Sequence, residues 1–175
     1  MKITPFITLG VIACLTISCK VQFDESTRYR IESSDDLAIE NVQFYNDKPI
    51  QLLYKSTSKN DAIQGGKVKF NNGFYYYHIS IPKNTKAVAK VTHKNELQVY
   101  FEEGKKGYLT FKNGQRENWE LYQLTTTLTD TGQYVTYDGN LMKVTNGNQA
   151  LLKIKKSLKN VNDKKRRRLK GVKVN

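Results

Sequence analysis

The chain has 175 residues, 29 Lys or Arg against 16 Asp or Glu, and a formal net charge of +13. Residues 153–175 carry ten of those charges, through eleven Lys or Arg and the single acid Asp163, and Lys2 carries one, so residues 20–152 are nearly neutral. This excludes a body that is basic all over, and it excludes a domain built on disulfides or thiolates, because Cys14 and Cys19 both fall in the N-terminal stretch.

That stretch reads as a leader. From Ile3 to Ile17 the chain is uncharged and largely apolar (Phe6, Ile7, Leu9, Val11, Ile12, Leu15), behind Lys2 and ahead of Lys20 and Asp24. The run is shorter than the roughly 20 residues that a bilayer-spanning helix needs. A basic start and a short apolar stretch instead predict a cleaved secretory signal over residues 1–18. Leu15-Thr16-Ile17-Ser18-Cys19 resembles the leader of bacterial lipoproteins, in which the acylated cysteine follows a small residue. The resemblance implies a lipid on Cys19, attachment to the inner or outer membrane, and residence in the bacterial cell envelope. Ala13-Cys14 offers a second match, with Val11 in the aliphatic place that Thr16 occupies ahead of Cys19. Cleavage before Cys14 leaves a very short leader and an apolar stub, so Cys19 is the preferred site. A triacylated cysteine carries more than one chain and anchors stably. The whole chain is also similar to small envelope lipoproteins of Bacteroidota, a likeness that implies location and no activity.

Beyond the leader the chain is long enough for one ordinary domain with its own core. Residues 19–38 are polar and mixed in charge (Asp24, Glu25, Ser26, Ser33, Ser34, Asp35, Asp36) and read as the lipid-attachment cysteine and a tether. Residues 39–154 form the expected β domain and 155–175 a basic tail. Asn41 to Tyr54 reads as a hairpin: Val42 and Phe44 alternate with polar neighbours, Asn46-Asp47-Lys48-Pro49 turns the chain, and Ile50, Leu52 and Tyr54 resume. Residues 55–65 are loop-like. Val68 to Phe70 then leads into Asn71-Asn72-Gly73, whose Asn and Gly tolerate positive φ at a hairpin turn. From Phe74 to Ile81 one face carries Tyr75, Tyr77, Ile79 and Ile81, and the other Phe74, Tyr76, His78 and Ser80. Val88 to Val91 is a short strand. Leu97, Val99 and Phe101 share a face opposite Gln98, Tyr100 and Glu102, Glu103-Gly104 turns, and Tyr108 to Phe111 pairs back. Asn113-Gly114 turns again, Trp119, Leu121 and Gln123 come next, and Tyr134 to Tyr137 is a strand. Asp138-Gly139 and Asn146-Gly147 are expected to close further hairpins, with Met142 to Val144 and Ala150 to Ile154 as strands. Turn signals recurring at this density predict a mainly β fold, a small barrel or a sandwich.

Within it, Ile81-Pro82-Lys83-Asn84-Thr85-Lys86-Ala87-Val88, Leu97-Gln98-Val99-Tyr100-Phe101 and Tyr108-Leu109-Thr110-Phe111 resemble the small Src-homology-three-type barrels of bacterial envelope proteins. There a polar turn with a Thr precedes a strand, and two short strands then close the barrel. The glycines usual in that turn are Asn84 and Ala87 in this chain. The resemblance implies a binding fold and no catalytic residue.

No constellation of catalytic residues emerges. G-x-S-x-G is absent, and no cysteine lies beyond Cys19 to act as a nucleophile. Asp35-Asp36 and Glu102-Glu103 fall in expected loops, where carboxylates are solvated rather than held across a cleft. Gln64-Gly65-Gly66-Lys67 lacks the first glycine and the Ser or Thr of a phosphate loop, and reads as a turn. His78 and His93 could meet across a sheet with Glu96 or Glu102, but the spacing matches no zinc motif, so two ordinary histidines and no metal or cofactor are expected. The aromatic run of Phe74 to Tyr77 must place one pair in the core. The other pair is expected to cover a second core surface; the second reading is that it lies out as a flat binding platform, and in that case Tyr76 and Tyr100 are the ligand-surface candidates.

The tail is the densest charge signal: Lys164, Lys165, Arg166, Arg167, Arg168 and Lys170, with Lys173 beyond. Outside the cytoplasm such a segment has phospholipid head groups, lipopolysaccharide phosphates and nucleic acid as polyanionic partners. Two bland readings stand beside this one: a solvated tail, or a final edge strand whose lysines blunt it against aggregation. The expectation is a membrane-anchored lipoprotein that is not an enzyme, has no identified small-molecule substrate, and binds an envelope protein or cell-wall partner through its β surface. The alternative is polyanion binding through the tail.

Overall fold

Apolar residues alternate along most of this chain, and in the computed structural model they fold into strands of two antiparallel sheets. The structure describes residues 20–35, 37–58, 67–103, 107–114 and 120–159. The elements in chain order are β1 (Lys20–Gln22), α1 (Glu25–Glu32), β2 (Phe44–Asn46), β3 (Ile50–Ser56), β4 (Lys67–Asn71), β5 (Phe74–Ile81), β6 (Lys86–His93), β7 (Glu96–Tyr100), β8 (Leu109–Lys112), β9 (Gln123–Leu124), β10 (Thr127–Thr129), β11 (Gly132–Tyr137), β12 (Asn140–Asn146) and β13 (Leu152–Lys155). The first sheet runs β1-β13-β2-β6-β7-β8-β9 and the second β10-β11-β12-β3-β5-β4. Beyond β9 the backbone touches the start of β13 through a single bridge, Gln123 to Leu151, rather than a ladder. The mainly β expectation holds; of its two forms, a closed barrel is not what the chain builds.

Both sheets feed one core. Phe44, Leu97, Val99, Leu109, Phe111, Leu152 and Ile154 enter it from the first sheet, and Ile50, Leu52, Tyr77, Val135, Met142 and Val144 from the second. Gly107 lets the sheets approach: a Cβ there would lie 2.7 Å from the Tyr137 ring.

Two turns behave as expected from their residues. Asn72 and Gly73 take φ of 48° and 80° between β4 and β5, and Asp138 and Gly139 take 49° and 75° between β11 and β12. These paired positive values suit tight hairpins because Asn, Asp and Gly adopt them at little cost.

Two other turns do not make hairpins. Asn46-Asp47-Lys48-Pro49 joins β2, which pairs with β6 and β13, to β3, which pairs with β5 and β12. Asn146-Gly147 likewise leads from β12 in the second sheet toward β13 in the first. Both carry the chain between sheets, as does Pro82–Thr85 between β5 and β6. These three crossings meet at one corner around Asn46, which is fully buried, whereas a fourth, from β9 to β10, is made elsewhere in the chain. Its Nδ2 donates to the carbonyls of Lys48 and Pro82, each at 2.8 Å, and its Oδ1 accepts from Thr85 N at 2.9 Å. Asp47 Oδ1 accepts from Leu151 N at 2.7 Å, which ties in the third crossing. Asn84 takes a φ of 63°, the conformation for which a glycine is usual. A side chain at Gly147 would collide with Pro49 O.

The expected tether is part of the fold. β1 pairs with β13 in the register Lys20 to Lys155, Val21 to Ile154 and Gln22 to Lys153. Phe23 is fully buried, in edge contact with Phe44 at 5.0 Å between centroids. Asp24 caps α1, accepting from Thr27 N at 2.7 Å and Ser26 Oγ at 2.8 Å. Burial alone would raise the Asp24 carboxyl, but the bonds from Thr27 and Ser26 and the nearby Lys159 ammonium outweigh it and hold the group below its usual range. Phe23, Thr27 and Ile31 are all buried at a spacing of four, so one face of this polar helix is core. The eight residues of α1 are too few to cross a bilayer, and no helix among the described residues is long and apolar enough to do so.

Candidate functional site

The densest polar cluster centres on the buried Arg28 and Tyr122 and fixes α1 in place. Arg28, 4% exposed, donates from Nε to Glu32 Oε1 at 2.8 Å and from Nη1 to Tyr122 Oη at 2.8 Å. The Tyr122 hydroxyl donates in turn to Glu25 Oε2, which also accepts from Asn113 Nδ2 at 2.7 Å. Burial and the Glu25 carboxylate push the Tyr122 phenol far up, against the opposing pull of Arg28, so it remains a neutral donor. Every charge here has a partner, and the cluster spans the helix, the segment before β9 and the turn after β8. Its chemistry is that of a clamp.

The outward face of the second sheet is arranged differently. None of its six strands contains an Asp or Glu. Alternation turns Ile50, Leu52, Tyr77, Met142 and Val144 inward, so Gln51, Leu53, Lys55, Lys69, Phe74, Tyr76, His78 and Lys143 point the other way. The register sets Tyr76 between Lys55 on β3 and Lys69 on β4. It also sets Leu53 between Lys143 and His78, with Tyr134 beyond Lys143. Lys55 Nζ stands 3.6 Å above the Phe74 ring and 5.9 Å from that of Tyr76. Lys55, Lys69 and His78 are exposed, whereas Phe74, Tyr76, Tyr134 and Lys143 are half-buried. The expectation that both aromatic sets are buried is not met: Tyr75, Tyr77, Ile79 and Ile81 face the core, and Phe74 and Tyr76 lie half-buried on the outer face under a lysine, because no further layer covers that side among the described residues.

Tyr100 lies on the other sheet. On β7 it stands in register with Val88 of β6, which is 37% exposed, and its ring lies 5.6 Å from that of Tyr108. Its hydroxyl donates to Gln98 Oε1 at 3.0 Å. Gln43, Lys86, Phe101, Glu102 and Glu103 complete an open groove around it. Tyr76 and Tyr100 therefore belong to two surfaces, not one. The Tyr100 groove mixes one lysine with two carboxylates, while the Tyr76 face has cations only.

The histidines separate in the same way, His78 on β5 of the second sheet and His93 on β6 of the first. Among the described residues no group of three or more His, Cys, Asp or Glu comes together as a metal site. Glu96, the one acid in the described strands, is held by Lys112 at 2.8 Å, which keeps its carboxyl below the usual range. Cys14, Cys19, Asp36, Gln64 to Gly66, Trp119 and the tail cations Lys164, Lys165, Arg166, Arg167, Arg168 and Lys170 lie outside the described residues. Lys55, Lys69 and Lys143 were not singled out by sequence. Strand alternation alone would have placed Lys55 and Lys143 outward, but only the register brings them beside Tyr76 and Tyr134.

No protein family, no curated protein and no solved structure matches this chain.

Proposed function

We propose that this chain is a membrane-anchored envelope lipoprotein whose β domain is a binding module rather than an enzyme, with the outward face of the second sheet as its ligand surface. The observation that carries the reading is the acid-free platform of Phe74 and Tyr76 flanked by Lys55 and Lys69. Flat rings with a cation above them suit a ligand that presents an apolar or planar face beside negative charge. Envelope proteins with acidic segments and anionic wall polymers both meet that description. The likeness of residues 81–111 to Src-homology-three-type barrels remains part of the proposal. In its favour, β6, β7 and β8 are consecutive antiparallel neighbours, entered through the Pro82–Thr85 turn. The Leu15 to Cys19 leader supports the lipid anchor.

The test compares capture by isolated envelope fragments of the unaltered protein, a Lys55→Gln/Tyr76→Ala variant and a Tyr100→Ala variant. The platform variant is expected to lose capture while Tyr100→Ala keeps it. Loss in Tyr100→Ala alone moves the site to the first sheet, and equal capture by all three removes the β surface as the ligand site. Palmitate incorporation by the full chain, abolished by Cys19→Ser, tests the anchor separately.

A further inference from the structure

The two ends of the described fold leave it at the same edge. β1 opens at Lys20, and consecutive Cα atoms are about 3.8 Å apart, so the expected lipid site at Cys19 adjoins the sheet with no leash between. Across the ladder, Lys20 pairs with Lys155, the last residue of β13, and Lys156 to Leu158 forms a single 3-10 turn. Lys159 then reaches Asp24 at 3.3 Å. The sixteen residues after Lys159 carry seven Lys or Arg and one acid.

The strands at this edge carry the same sign. Val21, Leu152, Ile154 and Phe44 turn inward, which puts Lys20, Lys153 and Lys155 together on the outer face of the first sheet, while Lys86 beyond them belongs to the groove that also holds Glu102 and Glu103. Lys20 Nζ stacks 3.8 Å over the ring of Tyr45, and Tyr45 sits between Lys153 and Lys86 in register. None of β1, β13, β2 and β6 contains an acid. Lys155 and Lys156 are exposed.

We infer that this lysine edge of Lys20, Lys153, Lys155 and Lys156 is a seat for the anionic phospholipid surface of the membrane that holds the chain. The inference rests on the lipid-anchor reading for which bilayer is met, whereas the affinity of the lysines for acidic head groups does not depend on it. A protein pinned at Cys19 has this edge within the head-group layer, where a basic cluster and acyl chains act as two joint signals.

The test uses the chain from Lys20 to Asn175, which keeps every described strand and helix, floated with vesicles of phosphatidylcholine alone or with about 30 mol% phosphatidylglycerol. Binding to acidic vesicles only is expected, lost as NaCl rises from about 0.1 to about 0.5 M. Lys153→Gln/Lys155→Gln/Lys156→Gln is expected to weaken it at least about tenfold. Lys155→Glu/Lys156→Glu, which alters exposed side chains alone, should do the same with an unchanged melting temperature. Lys55→Gln/Lys69→Gln on the other sheet should leave it intact. No flotation with acidic vesicles, an edge variant that floats normally, or a stronger preference for a single-stranded oligonucleotide than for vesicles each overturns the proposal. Failed palmitate incorporation with flotation intact would instead remove the anchor reading and leave the lysine seat standing.

Discussion

Residues 20–32 and the outer face of the second sheet treat charge in opposite ways. In the first region the buried Arg28 and the half-buried Glu25 and Asp24 are all partnered: Arg28 by Glu32 and Tyr122, Glu25 by Tyr122 and Asn113, Asp24 by Thr27, Ser26 and Lys159. In the second, lysines and aromatic rings lie side by side in strands that contain no carboxylate at all. A network of paired, partly buried groups specifies geometry, because a partner removed leaves a costly orphan. A one-signed face in water stabilises little and leaves its cations available to something else. If the open face is the ligand surface proposed above, stability and binding occupy different parts of the molecule, and substitutions should separate them.

The largest effect is expected at Phe23. A fully buried ring wedged between Phe44 and Tyr122 should cost about 3–5 kcal/mol on truncation to Ala. Denaturant unfolding measures this, and a change near zero would return residues 20–32 to the role of a leash. Asn46→Ala comes next, at about 2–3 kcal/mol, since it strips three hydrogen bonds from the corner where the crossings meet. Tyr122→Phe should cost about 1–2 kcal/mol by breaking the relay from Arg28 to Glu25.

Acid provides a finer contrast. Asp24 and Glu96 are both held below their ordinary values. Their contribution is therefore complete above the unfolded carboxylate range near about 4 and is lost as pH falls through the lower folded values. Melting followed from neutral pH downward should show less acid loss in Asp24→Asn and Glu96→Gln than in the unaltered protein. A steeper loss in those variants would reverse the sign. The smallest effect belongs to the open face: Lys69→Gln should change stability by less than about 0.5 kcal/mol.

Much of the strand pattern was legible because period-two alternation and turn chemistry are local. β5 has the bounds read from Phe74 to Ile81, and Asn72-Gly73 and Asp138-Gly139 turn as their residues require. Pairing was not legible at Asn46 to Pro49 or at Asn146-Gly147. A turn sequence says that the chain bends there, not which sheet receives the next strand. α1 was missed because its mean polarity resembles a linker; the apolar spacing of Phe23 and Ile31 around the Asp24 cap was the available signal. Of the candidate site, Tyr76 was legible from alternation. Its flanking by Lys55 and Lys69 depends on register among three strands, which no short window encodes. The same is true of the meeting of Lys20 with Lys155, residues at opposite ends of the described chain.

The most direct measurement of the binding claim is photo-crosslinking in cells from a reactive side chain placed at position 76 or at position 100. The account predicts an adduct from position 76 that Lys55→Gln/Lys69→Gln abolishes, and none from position 100. An adduct from position 100 with none from position 76 would contradict it and assign the ligand to the groove of the first sheet.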